Sequence, residues 1–348
     1  MTRIINSIEK SEVELTKKDF KSNLPVKWCP GCGGYAVLSA VENVFPKIGY
    51  RKENFVLVSG IGCSSRFPYY VNTYGFHGIH GRATAIATGI KLANPRLSVW
   101  VITGDGDALA IGGNHFIHII RKNVDVNILL FNNRIYGLTK GQFSPTSPTG
   151  LITKTSPYGV LEHPFNVGEL VLGAQGTFFA RVPDNDVKLM TEVLFEAAKH
   201  DGTSVVEILT NCVIYNNNIH APITSKENRD ENSVTLRPGQ PIIFGKNKDK
   251  GIMLKGTELE VVKIGENGIK EEDLLIHDPY QKDPGIHMML AKMWYPKFPV
   301  AFGVIRSALY PTYDDLVEFN IMMDKANSKI KNLEELMLTN EVFEIGDE

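Results

Sequence analysis

The segment Gly104–Gln142 carries the residue pattern with the clearest chemistry. It opens with G-D-G-D, directly after an apolar run of strand length, and about 28 residues later Asn133 follows the next such run, Val126–Phe131. Neighbouring parallel strands lie ~5 Å apart and end at one edge of the sheet, so Asp105 and Asn133 can face one point. Their oxygens suit Mg²⁺, and the glycines allow the backbone to approach a diphosphate. The segment therefore predicts a Mg²⁺–diphosphate site, against the simpler interpretation of G-D-G-D as a turn.

Four cysteines form a second candidate site. Cys29 and Cys32 stand in W-C-P-G-C, whereas Cys63 and Cys212 each follow a predicted strand singly. The first pair superficially resembles the redox motif of thioredoxins, and the full set could instead bind zinc, hold an iron–sulfur cluster or be buried free thiols. Zinc ligands usually come as two close pairs, whereas a cluster tolerates scattered spacing. From the cysteines alone, these alternatives remain open.

The elements that position both sites alternate between strands and helices. Five Val-, Ile- and Phe-rich runs predict strands covered on both faces, namely Phe55–Ser59, Ser98–Thr103, Val126–Phe131, Thr177–Ala180 and Ser204–Leu209. Helical spacing occupies the intervals Arg82–Ala93, Gly112–Arg121, Asn166–Leu172 and Asp186–Lys199. This alternation predicts an α/β fold with a doubly wound, mostly parallel sheet.

Three regions are expected along the chain: an N-terminal arm (1–26), the α/β domain (27–220) and a C-terminal extension (221–348). The arm is polar and predicts a surface segment. In the extension, Ser225–Pro241 predicts a loop, 241–285 a small β-rich unit and Ile286–Trp294 a helix. The charged tail from residue 329 predicts another helix. Short strands and helices are therefore mixed in the extension.

Composition limits the function classes. The 348 residues are 43% hydrophobic and 22% charged, as in a soluble globular protein. The net charge of −2 gives no reason to expect nucleic acid or an anionic membrane as a partner. Without a long apolar run or a secretory leader, the expected location is the cytoplasm, where structural disulfides are rare.

The G-D-G…N-N segment resembles the signature of thiamine-diphosphate enzymes. The resemblance implies that the side chains of Asp105 and Asn133, with the backbone carbonyl of Ile135, bind Mg²⁺. It also implies that the diphosphate is lined by Gly106, Asp107, Gly137 and Leu138.

Together with W-C-P-G-C-G, G-I-G-C-S and the late single cysteine, this segment resembles the β subunit of 2-oxoacid:ferredoxin oxidoreductases. The match covers roughly residues 27–215, and GIHGRATAIATGIKLANP and GDGDALAIGGNHFIH resemble the 2-oxoglutarate-type branch. The resemblance implies one 4Fe–4S cluster on Cys29, Cys32, Cys63 and Cys212. It places Ile61, Gly62, Cys63 and Ser64 beside the cofactor and His80 at the diphosphate.

The implied reaction is the coenzyme-A-dependent oxidative decarboxylation of 2-oxoglutarate to succinyl-CoA and CO₂ with reduction of ferredoxin, or its reverse. In this family, the glutamate that activates thiamine lies in a domain that no segment of this chain resembles. We therefore expect a heteromer in which an α-type partner subunit supplies that domain. Pyruvate or another 2-oxoacid is the alternative substrate. A non-redox thiamine-diphosphate decarboxylase and a zinc-bearing scaffold are the alternative functions.

Two cations are candidates for substrate binding. The remote carboxylate of 2-oxoglutarate needs a positive partner in a partly dry pocket. Arg66 follows the third cysteine closely, and Lys140 follows the N-N loop. We expect one or both to bind that carboxylate.

Overall fold

A central sheet of eight strands organises the protein, whose computed structural model describes residues 8–343 and 345–346. The strands are β1 Phe55–Ser59, β2 Tyr74–His77, β3 Ser98–Gly104, β4 Asn127–Asn132, β5 Phe178–Pro183, β6 Ser204–Leu209, β7 Ser233–Thr235, β8 Ile243–Phe244, β9 Lys250–Lys255, β10 Glu258–Lys263 and β11 Val300–Ser307. In the central sheet, whose order is β2-β1-β3-β4-β6-β5-β11-β7, every neighbouring pair is parallel except β11 against β5. A separate antiparallel sheet has the order β10-β9-β8. The predicted doubly wound, mostly parallel α/β fold is confirmed.

Helices cover both faces of the large sheet and create two apolar cores. The helices are α1 Gly34–Ile48, α2 Ala83–Ala93, α3 Asp105–Leu109, α4 Gly113–Lys122, α5 Val167–Gly173, α6 Val187–Lys199, α7 Ala221–Thr224, α8 Arg229–Asn232, α9 Gly285–Lys292, α10 Tyr313–Asn327 and α11 Leu333–Met337. One core lies under α1 and α6 and contains Phe45 and Trp100, and the other lies under α2, α4, α5 and α9 and contains Val101 and Phe116. Successive strand residues such as Trp100 and Val101 point to opposite cores, which explains the nearly unbroken apolar runs.

The five predicted strands and four predicted helices between residues 55 and 209 are present, with ends shifted by at most three residues. Side-chain caps explain the starts of two helices, because Asn166 accepts from the Glu169 amide and Asp186 from the Leu189 amide. The short edge strand β2 was missed, since all four of its residues are exposed and it has no buried apolar pattern.

The N-terminal arm is more than a surface segment. Within its described part, Phe20 is fully buried and packs edge-on against Phe45 and Phe55, with ring centroids 5.4 and 5.6 Å apart. The purely surface interpretation of the arm was wrong, because this one aromatic side chain inserts into a core whose other members are distant in sequence. Residues 1–7 lie outside the described residues.

The C-terminal extension completes the large sheet. Strands β7 and β11 both come from beyond residue 220, so the expected boundary there does not coincide with an edge of the sheet. The segment Ser225–Pro241, predicted as a loop, contains α8 and β7. The side chain of Val234 in β7 is buried. The predicted β-rich unit corresponds to β8–β10, and the predicted helix Ile286–Trp294 to α9. Within the described part of the charged tail, the helix is limited to Leu333–Met337.

Among the described residues, no helix combines the length and apolar character needed to cross a membrane.

Candidate active site at the carboxyl edge of the sheet

A pocket of about 720 Å³ opens where β1, β3, β4 and β6 end. Its wall brings together nearly all of the predicted site residues, which lie far apart in sequence. Those on the wall are Cys29, Cys32, Ile61, Gly62, Cys63, Ser64, Arg66, His80, Asp105, Gly106, Asp107, Asn133, Ile135, Gly137, Leu138 and Cys212. Lys140 is the one predicted site residue that is not part of this wall.

Asp105 lies at the start of α3 and is only 2% exposed. Its Oδ2 accepts hydrogen bonds from Ser144 Oγ at 2.5 Å and Thr146 Oγ1 at 2.6 Å. Burial raises the pKa of Asp105 to about 6, although these hydroxyls favour the carboxylate. A buried carboxylate of this kind is the donor that a divalent cation would stabilise.

The segment that follows β4 is held by hydrogen bonds to its carbonyls. His220 Nε2 is 2.9 Å from the Asn132 carbonyl, and Asn216 Nδ2 donates to the Asn133 carbonyl at 3.0 Å. Asn133 Oδ1 accepts from the Ile135 amide at 3.1 Å. Among the described residues, no hydrogen bond to the Ile135 carbonyl is found, so this carbonyl is available to a cation.

Asp107 ties three pocket segments together. It is 2% exposed, and its Oδ1 accepts from the Ile61 amide at 3.0 Å, from His80 Nδ1 at 2.7 Å and from the Gly81 amide at 2.7 Å. Thr103 Oγ1 donates to its Oδ2 at 2.7 Å. The carboxylate is thus saturated by donors, and it supports the pocket wall and orients His80.

Two close approaches explain glycines at this edge. A Cβ on Gly60 would lie 2.0 Å from Asp107 Oδ2, and one on Gly106 would lie 2.3 Å from the Tyr136 ring. Tyr136 donates its hydroxyl to the Gly106 carbonyl at 2.9 Å, and burial raises its pKa to about 12. Glycine is required at both positions by packing against the pocket's own side chains.

The four cysteines are free thiols around one end of the pocket. A Cβ on Gly137 would lie 3.3 Å from Cys212 Sγ and 3.8 Å from Cys63 Sγ, so these two sulfurs flank the same glycine. Burial, reinforced by the other three cysteines, raises the pKa of Cys63 to about 11. Among the described residues, no group of three or more His, Cys, Asp or Glu is arranged to hold a single metal ion.

The two predicted substrate cations differ in position. Arg66 lies on the pocket wall and donates through Nε to Tyr70 Oη at 3.0 Å. Lys140 is exposed with φ of 78° and lies outside the wall. Lys27, which sequence reasoning missed, lines the pocket two residues before Cys29.

Other missed residues come from the long connection between β4 and α5. Ser144 and Thr146 hold Asp105, and Gln142 lies on the pocket wall. The S-P-T-S-P-T run in this connection was the available signal, since its hydroxyls follow the predicted metal loop closely. Because the run has neither helical nor strand periodicity, the sequence did not indicate where it folds.

The residues present fit the groups that the sequence implies. A buried carboxylate, an amide side chain and an available carbonyl follow two adjacent strands, and turns that contain Gly104, Gly106 and Gly137 lie beside them on the pocket wall. This donor set suits Mg²⁺ bound to a diphosphate. Four free thiols on one pocket wall, close enough for the other three to raise the pKa of Cys63, suit an iron–sulfur cluster.

Comparison with known proteins identifies the family. Residues 60–208 match the family "Thiamine pyrophosphate enzyme, C-terminal TPP binding domain". Thiamine pyrophosphate is another name for thiamine diphosphate. The chain is 50% identical over 306 residues to the 2-oxoglutarate oxidoreductase subunit KorB of Mycobacterium tuberculosis, covering 88% of this chain and 81% of that protein. It is 44% identical over 225 residues to the 2-oxoglutarate synthase subunit KorB of Archaeoglobus fulgidus, covering 64% of this chain and 84% of that one.

A solved structure is also similar. A chain of the 2-oxoglutarate:ferredoxin oxidoreductase from Magnetococcus marinus, with 2-oxoglutarate, coenzyme A and succinyl-CoA bound, matches with a TM-score of 0.77 and 31% identity. The match covers 97% of this chain and 100% of that chain. The family expected from the sequence is confirmed: the chain belongs to the β subunits of the 2-oxoacid:ferredoxin oxidoreductases, in the branch of the 2-oxoglutarate oxidoreductases.

Proposed function

We propose that this chain is the β subunit of a 2-oxoglutarate:ferredoxin oxidoreductase and is active with an α-type partner subunit. It binds thiamine diphosphate with Mg²⁺ and one 4Fe–4S cluster in the pocket at the carboxyl edge of the sheet. The observation that carries the proposal is the convergence of Cys29, Cys32, Cys63 and Cys212 with Asp105 and Asn133 on one pocket wall. A thiamine decarboxylase without redox function would not need four cysteines on its pocket wall.

The reaction balances as one two-electron oxidation. The carboxylate of 2-oxoglutarate next to the keto group leaves as CO₂, the keto carbon forms a bond to the sulfur of coenzyme A, and the thiol proton is released. Two electrons pass one at a time to ferredoxin. Thiamine diphosphate, when bound, supplies the electron sink for the decarboxylation.

Each part of the wall has its own role in this proposal. Asp105, Asn133 and the Ile135 carbonyl hold Mg²⁺, while Gly106, Gly137 and Leu138 approach the diphosphate. His80, oriented by Asp107 through Nδ1, has Nε2 left to face the diphosphate. Supporting these roles are the burial of Asp105 and the four hydrogen bonds that Asp107 accepts.

A cluster at the cysteine end of the pocket would accept the electrons. Ile61, Gly62 and Ser64 flank Cys63 on the pocket wall, so a cluster held by Cys63 would lie beside the cofactor site. The raised pKa of Cys63 means that this thiol is protonated without its cluster, and cluster binding must displace the proton. Cys29, Cys32, Cys63 and Cys212 would hold the group that takes electrons from the pocket to ferredoxin.

Arg66 is the proposed partner of the remote carboxylate of 2-oxoglutarate. It is a wall residue with a guanidinium, which suits a carboxylate in bidentate geometry. Lys27 is the second cation on the wall. The position of Lys140 outside the wall gives no support to a substrate role for that residue.

Mg²⁺-dependent binding of thiamine diphosphate tests the proposal. In the complex with the α-type partner, Asp105→Ala should abolish retention of the cofactor at Mg²⁺ concentrations that saturate the wild type. Asp314→Ala is the matched control, because Asp314 is equally buried at 2% but does not line the pocket. Equal cofactor affinity of wild type and Asp105→Ala, measured by calorimetry, would refute the assignment.

A further inference from the structure

Trp294, in the C-terminal extension just after α9, lies behind the loop predicted to bind Mg²⁺. The Arg134 guanidinium carbon is 4.7 Å from the centroid of its ring, and that of Arg181 is 5.1 Å away. Both distances lie within the ~6 Å range of a cation–π interaction. One aromatic side chain from the extension thus contacts two cations of the α/β domain.

Arg134 joins the two predicted Mg²⁺ ligands Asn133 and Ile135. Its φ of 55° is left-handed, which is unfavourable for a residue with a long side chain and needs support from its surroundings. Its carbonyl accepts from Ser147 Oγ at 2.6 Å. Its Nε is enclosed and has no hydrogen-bond partner among the described residues. The Trp294 ring is therefore a principal contact of this guanidinium.

Arg181 connects the same ring to the other end of the loop. It is 1% exposed, and its Nε donates to Glu207 Oε2 at 2.7 Å. Asn132 Nδ2 donates to the other oxygen, Glu207 Oε1, at 2.7 Å. Asn132 immediately precedes Asn133, so Trp294 supports both the residue before and the residue after this ligand.

We propose that Trp294 is a positioning residue for the Mg²⁺ loop at 132–135. By holding the guanidinium of Arg134, and through Arg181 and Glu207 the side chain of Asn132, it keeps Asn133 and Ile135 in place for the cation. The inference rests on the proposed function, because it takes 132–135 as the Mg²⁺ loop. It assigns a role at the active site to the C-terminal extension.

The test measures Mg²⁺ affinity in the complex with the α-type partner. Thiamine diphosphate retained after ultrafiltration is determined chemically across an Mg²⁺ titration, so that the loss of an indole does not alter the signal. Trp294→Leu keeps an apolar side chain but removes the aromatic face, and should raise the half-saturating Mg²⁺ concentration about 5- to 30-fold. Trp294→Phe keeps an aromatic face. On a logarithmic scale, its rise in half-saturating Mg²⁺ concentration should be at most half of that of Trp294→Leu.

Tyr313→Leu is the matched control. Tyr313 also belongs to the extension and also lies under a cation of the α/β domain, Lys122, at 5.2 Å, but Lys122 lies at the end of α4 and not in the loop at 132–135. Its half-saturating Mg²⁺ concentration should stay within about twofold of the wild type. At saturating Mg²⁺, Trp294→Leu should regain most of the wild-type kcat, because its defect is in holding the cation.

A second variant keeps the inference testable if Trp294→Leu does not fold. Arg134→Met removes the cation from the ring and should raise the half-saturating concentration by a similar factor, and the double variant should add little to either single one. An unchanged Mg²⁺ response of folded Trp294→Leu or of Arg134→Met, or an equal rise in Tyr313→Leu, would overturn the positioning role. Failure of the wild type to bind thiamine diphosphate with Mg²⁺ would instead overturn the proposed function on which it rests.

Discussion

Replacing Asp107 by Asn tests how the pocket wall is held. Asp107 is 2% exposed and accepts four hydrogen bonds, three on Oδ1 and one on Oδ2. The side chain of Asn has the same shape and keeps Oδ1 for the Ile61, His80 and Gly81 donors. Its amide nitrogen replaces Oδ2, and the Thr103 hydroxyl can turn to accept from it. The substitution therefore removes the negative charge and leaves the bond pattern in place.

The expected decrease in the free energy of unfolding follows from the four hydrogen bonds that Asp107 accepts. A hydrogen bond to a charged group contributes about 1 kcal/mol more than a neutral one, so we expect the free energy of unfolding to fall by about 3–4 kcal/mol. Because the donors come from segments near the ends of β1 and β2, thiamine diphosphate binding should weaken by about tenfold or more. Urea denaturation of the purified chain measures the first quantity, and calorimetry on the complex with its α-type partner measures the second.

Asp314→Asn is the control for this substitution. Asp314 is also 2% exposed, but it accepts a backbone hydrogen bond from the Asp125 amide at 2.9 Å and does not line the pocket. Burial and the neighbouring Asp125 carboxylate raise the pKa of Asp314, so a neutral Asn there should cost little stability and should leave cofactor affinity unchanged. Asp107 does not hold the pocket wall if Asp107→Asn costs no more stability than Asp314→Asn, or if Asp107→Asn binds thiamine diphosphate as well as the wild type does.

Three further predictions concern separate parts of the site. Burial lowers the pKa of His220 to about 3, whereas the pKa of this side chain in the unfolded chain is near 6.5. Because the unfolded chain binds the proton at a higher pH than the folded chain does, the free energy of unfolding should fall by about 1.4 kcal/mol per pH unit as the pH drops below 6.5. His220→Gln should lack this part of the slope in urea titrations at pH 7 and pH 5, and identical slopes would contradict it. Cys212→Ser should lower the iron content and stop reduction of ferredoxin while thiamine diphosphate binding largely survives; full iron with full electron transfer would make Cys212 a buried thiol only. Arg66→Met should lower kcat/KM for 2-oxoglutarate much more than for pyruvate, and Lys140→Met, outside the pocket wall, should change neither; equal losses on both acids would refute the carboxylate role of Arg66.

The strands and most of the pocket wall could be predicted because their signals are local. Buried parallel strands appear as unbroken apolar runs such as Phe55–Ser59, and residues at their carboxyl ends meet at one edge whatever their separation in sequence. For that reason Asp105 and Asn133 could be grouped from the sequence, whereas Cys63 and Cys212 were grouped with them through the family resemblance. The structure places all four on one wall.

The remaining features depend on long-range packing that no local pattern encodes. Phe20 is one aromatic residue in a polar arm, yet it is fully buried against Phe45 and Phe55. Trp294 reaches the loop at 132–135 from the C-terminal extension. Lys140 follows that loop closely in sequence, but it is exposed and not part of the pocket wall.

The most direct test of the account is the colour of the complex and its response to substrate. Purified without oxygen together with its α-type partner, the protein should contain thiamine diphosphate and about four iron atoms per chain, bound through Cys29, Cys32, Cys63 and Cys212. The complex should then show broad absorbance near ~400 nm. Adding 2-oxoglutarate and coenzyme A without ferredoxin should bleach this absorbance, and adding pyruvate should do so more slowly. A colourless protein with stoichiometric zinc, or an iron-containing one that 2-oxoglutarate does not bleach, would contradict the account.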